Sequence, residues 1–339
     1  MTSESSNRPI DRRSALVALG SAGLGLVGLH GISAWRASPM ADTLSKLLPA
    51  WTDKSQEKLR GLLAGNEFRG RIAMTDAGSL ATGEQITVET LMLQLLPVAR
   101  LYSRPPISNY QVGAVARGVS GDLYLGANIE LPGHSLGLAV HGEQFALSNA
   151  YMHAERGIDS IALTAAPCGH CRQFMNEFSP AGEIKILIAG SAPVKLSTLL
   201  PVAFGPKDLG FSEGAVPVRE VRLMQPDGQP DAMTLAALDA ARRSYAPYTK
   251  AHSGVAIGTR GGRIYKGAYI ENVAFNPSLS PLQTALAALL VAGETYAAIS
   301  GVVLVEVENA VISQRSVTEA SVAAVAPDVK IRRVTTRVA

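Results

Sequence analysis

The sequence predicts an α/β protein in which a mixed sheet carries packed helices, the unit occurs twice, and a short helical segment precedes it. Three observations predict this. At about residue 100 the apolar spacing changes from threes and fours to strand-like runs. From there the elements follow a β-β-α-β-α-β order. Finally, "PYTKAHSGVAIGTRGGRIYKGAYIE" (247–271) aligns without gaps on "PISNYQVGAVARGVSGDLYLGANIE" (106–130), every position displaced by 141, so that Gly254, Gly262 and Gly267 fall opposite Gly113, Gly121 and Gly126. A chain of 339 residues with 47% hydrophobic side chains can bury a core and divide into about two domains of roughly 150 residues.

Taken in order, residues 1–41 form a leader. Arg12 and Arg13 precede an uncharged stretch from Ser14 to Trp35, rich in Gly and Ala, which resembles a twin-arginine export signal. Export is therefore slightly favoured as the expected localisation, with cytosolic retention as the alternative; a signal-anchor helix or a misplaced start would also account for the segment. Residues 42–95 read as helices: "LSKLLPAW", "SQEKLRGLLAG" and "TVETLMLQLLPVARLY" each repeat apolar residues at three and four. A first α/β domain spans 96–222. Its strands are "QVGAVARG" and "DLYLGANIE", then a helix "HGEQFALSNAYMHAER", a buried strand "SIALTAA", a helix "PCGHCRQFMNEF" and a buried strand "EIKILIAG". The parallel pair implies a right-handed crossover. "MQPDGQPD" (224–231) clusters Pro, Gly and Asp as a boundary, and the second α/β domain spans 232–339.

Net charge is only +3, and without residues 1–41 the chain holds 27 Lys and Arg against 26 Asp and Glu. No basic run interleaved with aromatics is present, so no nucleic-acid partner is expected, and a small, weakly charged one fits better. No later segment is long and apolar enough to span a bilayer, so no stable membrane insertion is expected.

Cys168 and Cys171 are the only cysteines. Two cannot form a disulfide framework, which leaves a redox pair or a metal site. Pro167 suits the first turn of a helix, which places both thiols on one face at its N-terminus, where the helix dipole favours thiolate. A third ligand must come from a histidine. His170, between the cysteines, is turned about 100° per residue away from their shared face. His153, in "HAE", has the commoner H-x-E spelling. However, the N-terminus of a crossover helix lies beside the C-terminal end of the strand that follows, which puts position 141 at the thiols and His153 about 18 Å along the axis. The site is therefore His141, Cys168 and Cys171, three ligands with an open fourth position, as in catalytic zinc, with Glu143 over that opening.

"HGEQFALS", "APCGHCRQFMNE" and "FGPKDL" resemble the homodimeric two-domain bacterial cytidine deaminases, over roughly residues 90–339. The resemblance implies a cytidine-deaminase-like three-layer α/β/α domain, one Zn2+ per subunit, and hydrolytic deamination of cytidine and 2′-deoxycytidine to uridine and 2′-deoxyuridine in pyrimidine salvage. Zinc-activated hydroxide would attack C4 of the base, with Glu143 shuttling the proton and ammonia leaving. It further implies that Asn128 and Glu130, two apart on one strand face, hold the ribose hydroxyls, and that Tyr110 stands where the family places a phenylalanine against the ring. The backbone N–H of Gly142 would contact substrate. The family usually has Ala or Val there, and glycine loosens the turn.

Matching "EQFAL" to "LQTAL" puts Ser280 opposite His141 and Leu282 opposite Glu143, with no cysteine beyond Cys171, so the second domain cannot bind zinc this way. It would stand in for a subunit of the tetramers that one-domain relatives build, giving a homodimer in which the partner closes each site with Phe204 and Phe275. The rival readings are a structural zinc module, a nucleic-acid editor with the same motif, and a retired nucleoside-binding relative.

Overall fold

The structure, a computed structural model, describes residues 39–339 except position 66 and positions 179–181. The twin-arginine motif lies outside the described residues. Helix α1 (Pro39–Leu47) begins before the expected end of the leader. It is followed by α2 (Asp53–Ala64), α3 (Met74–Gly83), α4 (Val88–Gln94) and α5 (Leu96–Ala99). Thr52 caps α2, its hydroxyl accepting from the Ser55 N–H while donating to Glu84 just beyond α3. Pro97, which cannot continue the hydrogen-bond ladder of α4, starts the short α5.

The segment is not purely helical as expected. Arg71–Ile72 form a two-residue strand, β1, antiparallel to β3 (Leu123–Ala127). Two residues cannot show a period. The strand is set by the turn at Gly70 (φ 76°) and by Arg71, whose Nε donates to Asp122 at 2.6 Å.

The first α/β half comprises β2 (Gly113–Gly118), β3, α6 (Gly142–Met152), β4 (Ile158–Leu163), α7 (Gly169–Phe178) and β5 (Lys185–Ile188), with β6 (Val194–Lys195) and α8 (Leu196–Leu199) at the edge. The sheet runs β1-β3-β2-β4-β5-β6, with β4 and β5 parallel and the other pairs among β1 to β5 antiparallel. Glycines explain how helices lie so close on both faces. A Cβ on Gly126 would stand 2.3 Å from the Ala146 nitrogen in α6, and one on Gly113 would stand 2.5 Å from the Leu96 carbonyl in α5. Gly113 pairs with Ala127 and Gly126 with Ala114, so the two glycines point to opposite faces and the layers are α/β/α.

The second half repeats this with α9 (Ala232–Arg242), β7 (Ser253–Thr259), β8 (Ile264–Ala268), α10 (Pro281–Val291), β9 (Ile299–Val307), α11 (Arg315–Val325) and β10 (Ile331–Thr336), in the order β10-β9-β7-β8 with β9 and β10 parallel. Gly254 and Gly267 reproduce the close approaches, to the Ala237 carbonyl (2.4 Å) and the Ala285 nitrogen (2.2 Å). Residues ahead of the expected boundary already belong to this half. Leu223 is buried against Ala237 and Leu238 and bridges to Val338.

The halves meet through α6 and α10. Gln144 Nε2 donates to the Pro277 carbonyl (3.1 Å) and Gln283 Nε2 to the Leu138 carbonyl (2.9 Å). Both pairs are displaced by 139, so the contact is reciprocal, as across a local two-fold. Between the sheet and α10, every residue of α6 from Gly142 to Tyr151 is buried, which removes the polar stripe that a surface helix shows. Among the described residues no helix is long and apolar enough to cross a membrane.

Candidate metal centre and active site

Two helix starts build the site. The turn after β4 is pinned to β2 by Thr164, whose hydroxyl donates to the Gly113 carbonyl at 2.9 Å. Cys168 then caps α7: its carbonyl accepts from the Arg172 N–H (3.0 Å). Pro167 therefore precedes the cap instead of occupying the first turn as expected. Its carbonyl accepts from Arg172 Nε (2.9 Å), which holds the loop. Cys171 lies buried in the first turn and Cys168 is exposed. Opposite them His141 caps α6 in extended conformation, with its own N–H donating to Gln144 Oε1 at 3.1 Å.

His141 Nδ1 stands 3.5 Å from the Cys168 sulfur and 3.3 Å from the Cys171 sulfur. A tetrahedron with Zn–S near 2.3 Å and Zn–N near 2.0–2.1 Å has mixed edges of roughly 3.6 Å, so the donors fit zinc. Among the described residues these three form the only such group of His, Cys, Asp and Glu, with ligand atoms within 4.8 Å of one another. The proximity shapes their protonation. Donation from the Cys171 thiol, then from His141, pulls Cys168 down to about 3. Cys171 is pushed up, chiefly because it donates to the Cys168 thiolate. The hydrogen bond to Cys168 raises His141.

Glu143, two residues into the same helix start, is 6% exposed, and burial raises its carboxyl above the ordinary value. His153 caps the far end of α6, bonded to the Asn149 carbonyl (2.9 Å) and tilted against Tyr124. His170 lies outside the ligand group, near Gln144 Nε2 at 3.2 Å.

Asn128 and Glu130 lie past the end of β3, contrary to the expected strand through 130, yet both face the 107–112 loop. Asn128 Oδ1 accepts from Ser103 Oγ and the Val112 N–H, and its Nδ2 donates to the Tyr110 carbonyl (2.9 Å). Glu130 accepts from the Ile107 and Ser108 N–H groups at 2.8 and 2.9 Å. It is half-buried; burial alone would raise its carboxyl, but the hydrogen bonds from Ser108 and Ile107 together outweigh that and hold it below the usual range. Tyr110 is 46% exposed, Phe204 46% and Phe275 59%. Ser103 and the backbone donors of the 107–112 loop were not flagged by sequence reasoning. Ser103 sits in a short turn with no period, 25 residues before its partner.

A family profile described as "Cytidine and deoxycytidylate deaminase zinc-binding region" matches residues 86–187, and a second of the same description matches 196–319. The chain is 40% identical to a cytidine deaminase of Vibrio parahaemolyticus over 86% of its own length and 98% of that protein. It is 42% identical to one of Vibrio cholerae over 80% and 92% respectively. The solved cytidine deaminase of Mycobacterium tuberculosis aligns at 27% identity, covering 34% of this chain and 96% of that one, with a TM-score of 0.32. With both halves matched and the His-Cys-Cys cluster assembled, the chain belongs to the zinc-binding cytidine and deoxycytidylate deaminase family.

Proposed function

We propose that the protein hydrolyses cytidine and 2′-deoxycytidine to uridine and 2′-deoxyuridine with release of ammonia, serving pyrimidine salvage. The observation that carries this reading is the meeting of His141, Cys168 and Cys171 at two helix starts, with a buried Glu143 two residues from the histidine. Zinc held by those three residues would supply an acidified water as nucleophile. Glu143 would take the proton of the attacking water, deliver it to ring N3 and then assist the departing amine, a task that suits a carboxyl whose burial raises it above its ordinary value. The N–H of Gly142 points the base edge. Asn128 has one Nδ2 hydrogen left to donate, and Glu130 keeps accepting capacity on its carboxylate, which matches a pair of ribose hydroxyls. Tyr110 stacks on the ring.

The exposure of Phe204 and Phe275 on the single chain supports a homodimer in which each subunit covers its partner's site with these rings. Residues 1–41 are read as a twin-arginine export signal, on the strength of Arg12, Arg13 and the uncharged stretch behind them. Cytosolic retention of a reporter fused to residues 1–45 would overturn export.

The test is cytidine turnover by the full chain, followed by ultraviolet absorbance beside zinc analysis. Glu143→Ala should retain zinc and lose about 10²–10⁴-fold in turnover, whereas His141→Ala should lose both. A Glu143→Ala protein as fast as wild type would sink the proton-shuttle assignment.

A further inference from the structure

The helix that carries both thiols also suspends both exposed phenylalanines. On one face of α7, Gln173 Nε2 and Asn176 Nδ2 donate to the Phe204 carbonyl at 2.7 and 3.3 Å. The Gln173 carbonyl accepts from Asn272 Nδ2 at 3.0 Å, and the Glu177 carboxylate accepts from the Val273 N–H at 3.0 Å. Positions 173, 176 and 177 are spaced by three and four and so share one face. Asn272 and Val273 lead directly into Phe275, which holds a left-handed φ of 61°. That conformation is unfavourable for an aromatic residue and persists only when its surroundings fix it.

Glu177 is the residue on which this converges. It is fully buried, and each of its three donors, Tyr245 Oη, Tyr248 Oη and the Val273 N–H, comes from the second half of the chain. A carboxylate is acceptor-only, which matches three donors with no competing hydrogen of its own. Burial of such a group is costly unless it is satisfied in this way, so the loop and the helix are held in one register.

We infer that Glu177 is a positioning residue that fixes the Phe275 loop of one subunit so that its ring covers the active site of the partner. This rests on the homodimer reading above. Glu177 touches neither substrate nor metal ligand, and acts through the backbone two residues before Phe275. Glu177→Gln keeps the shape and can still accept from the tyrosines, but its amide nitrogen cannot serve both roles, and the Val273 N–H loses its acceptor.

Tagged Glu177→Gln and Glu143→Ala chains, co-expressed and purified through both tags, give a mixed dimer that decides the matter. In it the only competent site belongs to the Glu177→Gln subunit and is covered by the unaltered Phe275 loop of the Glu143→Ala subunit. The Glu177→Gln homodimer should hold one zinc per subunit with kcat nearly unchanged and KM for cytidine raised about five- to tenfold. The mixed dimer should return to the wild-type KM. A raised KM that persists in the mixed dimer would show Glu177 acting within its own subunit, and a wild-type KM in the Glu177→Gln homodimer would remove any positioning role. A chain that sediments as an active monomer defeats the dimer reading itself, distinguishably from both. If Glu177→Gln fails to fold, Asn272→Asp, which cannot donate to Gln173, replaces it in the same scheme with the same expected outcomes.

Discussion

The two halves of this chain are nearly the same object with and without chemistry. They share strand order, the paired glycines under their helices, and a left-handed residue at matching loop positions, Asn109 and Lys250. They also share a glutamate that gathers two loop N–H groups: Glu130 takes those of 107 and 108, and Glu271 those of 248 and 249. Both central helices place glutamine at the third position, reaching back to the cap N–H. What differs is a handful of side chains. Where α6 is capped by His141, α10 is capped by Ser280, whose hydroxyl accepts from the Gln283 N–H. Where α7 starts with two thiols, the second half has none. The lesson is that two of the three ligands, His141 and Cys168, occupy positions the fold already reserves for helix caps and the third, Cys171, lies in a first turn, so the scaffold survives their loss.

The strongest way to break that comparison is to make the first half imitate the second. His141→Ser should abolish zinc binding and turnover together, yet leave the metal-free protein folded, because serine is a good N-cap. Circular dichroism and melting of the variant should match those of chelator-treated wild type. A variant that unfolds outright would show that the histidine serves the fold as well as the metal. Ser280→His, by contrast, should gain no metal in metal analysis, having no thiol opposite.

A smaller effect separates the matched glutamates. Glu130→Gln and Glu271→Gln each leave a loop N–H facing an amide, which costs on the order of 1–3 kcal/mol where buried. Glu271 is 1% exposed, so its variant should lower the melting temperature while KM holds. Glu130→Gln should do the reverse, raising KM about tenfold with little change in melting. Equal KM values for the two variants would remove Glu130 from substrate binding.

The seam between the halves should show a pH signature. Burial raises the Glu177 carboxyl above its ordinary value near 4.5. The native state therefore keeps this proton longer than the unfolded chain, and the associated stability, complete below about 4.5, is lost as pH climbs through the raised value. Glu177→Gln should flatten that decline in a series of thermal melts taken upward from pH 4.5. Parallel curves for variant and wild type would show that the carboxylate is already ionised across the range.

The repeat explains why so much could be read from residues alone. Strands buried on both faces appear as apolar runs, and a second copy displaced by 141 confirms which runs are structural. The choice of His141 over His153 needed only the antiparallel run of helix and strand, and the two do sit at opposite ends of α6. Other features had no local signal. β1 is two residues long, and its pairing with β3 depends on Arg71 reaching Asp122, 51 positions away. The end of β3 at Ala127 was invisible because the alternating pattern continues through Ile129, which makes only an isolated bridge. The outer face of α7 reads as an ordinary polar stripe. Its partners Asn272 and Val273 lie 99 and 96 positions from Gln173 and Glu177, so its role emerges only from the folded chain.

The smallest expected effect concerns Gly142, a position where the resemblance implies alanine or valine. Gly142 opens α6, where the second half opens α10 with Pro281; the helix needs no N–H at this position, so proline, which has none, serves there, whereas Gly142 keeps one. Alanine at 142 would reduce the freedom of the unfolded chain, a gain of about 0.4–1 kcal/mol where the site accepts it. Here the added Cβ meets Val112 Cγ1 at 2.9 Å and Ala114 Cβ at 3.6 Å. The methyl at 2.9 Å must move by a few tenths of an ångström, and Val112 is held nearby by its own N–H donating to Asn128, a residue assigned to ribose. Gly142→Ala should therefore leave stability within about 1 kcal/mol of wild type and express itself as a modest rise in KM, transmitted through Val112 to Asn128. Adding Val112→Ala supplies the missing space and should bring KM back toward wild type. If the double variant binds worse than Gly142→Ala alone, the cost lies in the N–H at 142 itself and not in crowding behind it.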